Sequence, residues 1–182
     1  MKKKIILAIV AAVCLLTLGV GSTLAYFASA TGPVVNTFTV GEVDIELAET
    51  TGGTYRMIPG ATVAKDPVVT VVGGSESCYL YIKLEWNGGL EKYVDYELDS
   101  GWQILGGIAG VYYREVEHSA VNKKYHVFQN DELIVKESLT KEKIEAIGDA
   151  DCGLTVTAYA IQTVGIESPS DGWYNLLTEL ER

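Results

Sequence analysis

The chain has 182 residues, a formal net charge of −10 and 48% hydrophobic residues, which suits one domain with a real core. A surface this acidic repels nucleic acid and disfavours docking on anionic membranes. It keeps a chain soluble until it meets a partner, and no cofactor motif accompanies it.

The N-terminus carries Lys2, Lys3 and Lys4 and then an uncharged run from Ile5 to Phe27. A bilayer span takes about 20 apolar residues, so the run is long enough to anchor. Its dense apolar part ends at Leu18, however, and Thr23-Leu24-Ala25 sets small residues where a signal peptidase reads. No Lys or Arg follows until Arg56, so a stop-transfer flank is missing. The expectation is a secretion signal over residues 1–25, cut between Ala25 and Tyr26, with Ala28-Ser29-Ala30 as a weaker site. An uncleaved N-terminal anchor is the other reading, and the membrane enters only through it. Removal of residues 1–25 takes away three lysines and no acid, which makes the mature chain more acidic still.

From Asn36 to Leu47 the pattern is strand-like, but its parity changes: Phe38 and Val40 are even, Val43, Ile45 and Leu47 odd. One extra residue near Gly41 restores a single face, which predicts a bulge or sharp bend there. After turns at Gly52-Gly53 and Pro59-Gly60, Pro67 to Val72 is a second strand. Ser77 to Trp86 is the clearest, with Leu80, Ile82, Leu84 and Trp86 alternating against Tyr79, Tyr81, Lys83 and Glu85. Shorter strands are expected at Tyr93 to Leu98, Gly101 to Leu105, Val111 to Val116 and Glu132 to Lys136.

The one helical signal is Thr140 to Ile147, capped by Thr140 and stopped by Gly148. Leu154 to Thr163 alternates again as a buried strand. These elements predict an all-β fold, an antiparallel jelly-roll-like β-sandwich with one short helix, over residues 41–182.

Cys14 lies in the apolar signal, which leaves Cys78 and Cys152, both on apolar strand faces and neither in a metal spacing. A disulfide between them suits a secreted protein. Antiparallel neighbours would place them at opposite ends, so the bridge needs strands that face each other across a sandwich or run parallel. Two reduced core thiols are the other reading.

Several blocks in order, MKKKIILAIVAAVCLLTLGVGSTLAYF, NTFTVGEVDIEL, PGATVAKDPVVTV, CYLYIKLEW, VYYREV and LTVTAYAIQ, resemble the TasA/camelysin family of secreted Gram-positive proteins. The resemblance implies cutting by a dedicated signal peptidase and a jelly-roll domain exported to the cell surface or biofilm matrix, where members assemble into fibres. It also implies that the segment after the signal, here residues 26–40, can add as a strand to the next subunit, a second copy or a related matrix protein. The residues support this independently. Ala28 to Gly41 is uncharged and carries Val34, Phe38 and Val40, the candidate assembly residues, and such a segment must pair with a sheet edge. An ordinary first strand of the chain's own sheet fits the same residues.

Camelysin-like proteins have also been labelled metalloproteases. Only His118 and His126 are present, with no HExxH, and a pair of histidines gives catalytic zinc too few ligands. The chain is therefore expected to be a non-enzymatic structural protein without metal or cofactor. A metalloprotease ranks third. The runner-up is a glycan-binding module using Tyr79, Tyr81, Trp102, Tyr112 and Tyr113 as a platform, although outward strand tyrosines more often pack across strands. Asp149 and Asp151 could hold calcium but lack an EF-hand pattern.

Overall fold

A computed structural model of the chain describes residues 36–40, 42–51, 57–140, 142–143 and 153–181. In chain order the strands are β1 Asn36–Val40, β2 Ile45–Ala48, β3 Thr62–Ala64, β4 Val68–Val71, β5 Cys78–Trp86 and β6 Val94–Asp95. There follow β7 Gln103–Ile104, β8 Val111–Val116, β9 Lys123–His126, β10 Glu132–Val135 and β11 Leu154–Gln162, and then helix α1, Pro169–Leu180. Five strands form one sheet in the order β1-β11-β5-β8-β7, and two three-stranded sheets, β3-β10-β6 and β2-β4-β9, lie against it. The all-β, sandwich-like architecture expected from the alternation is the one observed. Its pairs are antiparallel except β1, which runs parallel to β11.

The main core fills the sandwich. Leu80, Ile82 and Leu84 of β5 and Val156, Ala158 and Ala160 of β11 project into it from the large sheet. Val69 and Val71 of β4, Ile45 and Leu47 of β2, and Leu133 and Val135 of β10 meet them from the small sheets. Apolar side chains at every second position of a strand bury one face against the opposing layer.

Of the bulge or sharp bend expected near Gly41, Gly41 itself lies outside the described residues, while Glu42 beside it is a bend. β1 belongs to the large sheet and β2 to a small one, so the chain changes layer between Val40 and Ile45. Each half then satisfies its own sheet, and the two need not share a parity.

Most of the helix expected over Thr140 to Ile147 lies outside the described residues. Of Thr140 to Ile147, only Thr140, Glu142 and Lys143 are among the described residues. The helix that packs on the large sheet is α1, which was not among the expected elements, and its first turn holds two turn residues, Pro169 and Gly172. Local chemistry explains it. Ser168 accepts a hydrogen bond from Asp171 N at 3.2 Å and Pro169 sits at the first helical position, where its missing N–H costs nothing.

α1 covers the outer face of the large sheet and builds a second core there, from Tyr79, Tyr81, Leu105, Val111, Tyr159, Ile161, Trp173 and Leu176. Tyr79 and Tyr81, expected to face outward, are thus buried on a face that the alternation marked as solvent-side. Among the described residues no helix is long and apolar enough to cross a membrane.

Candidate functional site

Among the described residues β1 has one neighbour. Its backbone pairs Asn36 with Thr157, Phe38 with Tyr159 and Val40 with Ile161, which makes it the edge strand of the large sheet. Parallel neighbours cannot be joined by a tight turn, and here all of β2 to β10 lies between them in sequence. The edge is therefore closed by a strand that arrives at β11 from the far end of the domain's sequence. Of the candidate assembly residues, Phe38 and Val40 lie in β1, while Val34 falls outside the described residues, as do the cleavage pair Ala25 and Tyr26.

The five candidate platform aromatics do not share a surface. Tyr81 is fully buried and donates its hydroxyl to Pro169 O at 2.7 Å, and burial pushes its phenol well above the usual tyrosine range. Trp173 packs on Tyr81 and on Tyr159, with ring centroids 5.4 Å and 5.2 Å away. Tyr79 joins the same buried cluster. Tyr112 packs against the other core, inside the sandwich, and Tyr113 donates to Gln103 Oε1 at 3.0 Å. Trp102 donates Nε1 to His126 O at 2.8 Å and carries the Arg114 guanidinium over its ring. These rings are packing elements on two opposite faces.

The two histidines are held apart by different partners. His118 Nδ1 lies 2.8 Å from Ser75 O, and its backbone N–H donates to Ser77 Oγ. His126 Nδ1 pairs with Asp131 Oδ1 at 2.7 Å. Among the described residues no three His, Cys, Asp or Glu side chains gather as a metal site. Catalytic zinc takes three protein ligands with an open fourth position, and this donor set does not fit it.

Cys78 is a free, buried thiol, pushed up to about 12 by desolvation, and is thus a poor nucleophile and ligand. β5 and β11 are antiparallel neighbours, with Cys78 opposite Gln162, while Gly153 O accepts from Asn87 N at the other end of the pair. Cys152, the partner considered for a bridge, lies outside the described residues, as do Asp149 and Asp151.

Residues 1–76 match the family model described as camelysin metallo-endopeptidase. The resemblance to the TasA/camelysin family holds over this stretch. It covers the N-terminal segment and β1 to β4, the part of the chain that contains the edge strand and the change of layer. Neither a curated protein nor a solved structure matches the chain. The family's description as a metallo-endopeptidase overturns the expectation that the chain is not an enzyme. The camelysin match contains no histidine, since His118 and His126 both follow it, so it assigns no zinc ligand of that type.

The network most easily missed in the sequence lies within the matched stretch. Lys65 is 1% exposed and donates to both Glu49 carboxylate oxygens, at 2.8 Å and 2.7 Å. Beside it, Asp66 accepts from the Thr50 and Thr51 backbone N–H groups and from both hydroxyls. Although desolvation raises the Asp66 carboxyl, these hydrogen bonds hold it well below the usual carboxylate range. A Lys-Asp pair beside a Pro reads as loop, which hid the cluster. A lysine that falls between two apolar strands was the available signal.

Proposed function

We propose that this is an exported protein of the cell surface or extracellular matrix that self-associates into fibres. Each copy donates the segment 26–40 as a strand to β11 of the next, after a signal over residues 1–25 is cut at Ala25 and Tyr26, and the domain of residues 41–182 accepts it. The observation that carries the reading is the position of β1, an edge strand with one parallel neighbour that enters the sheet from the opposite end of the sequence. A β1 from another copy could make the same backbone hydrogen bonds to β11, because the register depends on the strand and not on the connection. The uncharged composition of Ala28 to Gly41 and the camelysin-family match support it. Partners are further copies or related matrix proteins, with the signal peptidase acting during export.

The processed protein, concentrated and examined by size-exclusion chromatography with light scattering and by electron microscopy, should form concentration-dependent oligomers and fibres. A chain lacking residues 26–40 should fail to assemble and should bind a synthetic peptide of Tyr26 to Val40 in trans. A processed protein that stays monomeric at every concentration, seeded or not, overturns the reading. N-terminal sequencing of secreted material should begin at Tyr26.

A further inference from the structure

We propose that Lys65 and Glu49 condense into an intramolecular isopeptide bond, with loss of one water, in a site that also holds Thr51 and Asp66. The pair joins the residue after β2 to the residue after β3, across a connection in which the chain leaves one small sheet and enters the other. The Lys65 and Glu49 side chains are 2% and 6% exposed, and the amine nitrogen lies 2.7 Å from Glu49 Oε2. Thr51 Oγ lies 3.0 Å from Glu49 Oε1 and 2.7 Å from Asp66 Oδ1, so its hydroxyl stands between the two carboxyl groups.

This arrangement supplies what amide formation needs. Two opposite charges shut away from water carry a desolvation penalty that a neutral pair does not. Burial is the largest influence on the Lys65 amine and lowers its affinity for the proton, against the raising effect of Glu49 and Asp66. The Lys65 proton passes to the Glu49 carboxyl, leaving a neutral amine beside a neutral acid. The acid hydroxyl at Oε1 donates to Thr51 Oγ, which in turn donates to Asp66 Oδ1. Asp66 stays ionised throughout, as its hydrogen bonds from Thr50 and Thr51 require.

The Lys65 Nζ lone pair then forms a bond to Glu49 Cδ. The bond from Cδ to the hydroxyl oxygen breaks, that oxygen takes one of the two protons on nitrogen, and water leaves, with the other proton kept as the amide N–H. No oxidant or reductant takes part. Condensation is unfavourable between separate molecules in water, but effective molarities of about 10⁵–10⁸ M for well-placed groups reverse that balance. The product would close the β2–β3 connection covalently in a chain whose described cysteine is a free thiol.

Intact-mass spectrometry of the purified, denatured full chain tests this. The expected mass is one water below that of the sequence, and fragmentation should yield a branched peptide that joins Glu49 to Lys65. Lys65→Met should restore the full mass, Glu49→Gln should lose one ammonia in place of water, and Thr51→Val should slow the loss. A chain that keeps its full mass after prolonged incubation at neutral pH, or that loses water without the branched peptide, overturns the proposal and leaves Lys65 and Glu49 as a buried ion pair.

Discussion

The two faces of the large sheet are both buried, but by different means. The inner face is aliphatic, with Leu80, Ile82, Leu84, Val156, Ala158 and Ala160, and it is closed by two other sheets. The outer face is aromatic, with Tyr79, Tyr81 and Tyr159, and it is closed by helix α1 through Trp173 and Leu176. A sheet covers a face broadly with small branched side chains. A helix covers only a stripe, so the sheet beneath must supply large rings to reach it. The outer core therefore depends on few residues, and each should carry more.

The sharpest test of that contrast is Trp173→Ala. It removes the ring that meets both Tyr81 and Tyr159, and should cost about 3–5 kcal/mol. Denaturant melts followed by far-UV and near-UV circular dichroism should show one transition at lower denaturant, if the outer core folds as a unit with the sandwich. An early loss of near-UV signal ahead of the main transition would show that the helix and its core are separable. Leu80→Ala in the inner core should cost about 2–5 kcal/mol, with the lower end favoured where neighbouring sheets can close on the gap. A loss clearly larger than that of Trp173→Ala would reverse the ranking of the two faces.

Gly172 gives a smaller and more local test. A Cβ there would collide with the Tyr81 hydroxyl and come within 3.2 Å of Ile161. Alanine in a helix is worth about 1 kcal/mol over glycine, while overpacking costs about 1–3 kcal/mol. Gly172→Ala should therefore lower the melting temperature. Tyr81→Phe combined with it should recover part of the loss, because the colliding oxygen is gone. The smallest effect is expected from Ser168→Ala, which removes the cap on Asp171 N and should cost about 1 kcal/mol in the same melts. An unchanged melt would show that Trp173 and Leu176 alone hold the helix in place.

Much of the inner face was legible from alternation. β4, β5, β8, β10 and β11 stand where the periodicity placed them, because half-buried strands write their faces into every second residue. β3 and β9 were not expected as strands. Thr62–Ala64 and Lys123–His126 lack a clear apolar alternation, and each is a strand because β10 or β4 offers it an edge. The candidate site was legible in part. Phe38 and Val40 fall in a strand, but only pairing with β11 shows that it is an edge strand running parallel. The platform tyrosines were misread for one reason: an odd-numbered face with two tyrosines and two charges looks solvated until a helix is seen above it.

By itself, the sequence determined the all-β class, the long central strands, the uncharged segment ahead of β1 and the resemblance to a secreted family. All of these follow from local pattern and composition. The tertiary structure decided that the chain changes layer between Val40 and Ile45, that α1 forms in a stretch rich in turn residues, and that Lys65 is buried against Glu49. Each of these depends on contacts between residues distant in the chain or across a loop, and burial free energy there overrides the local preference. A pattern in one segment records which face is covered, and only the fold shows what covers it.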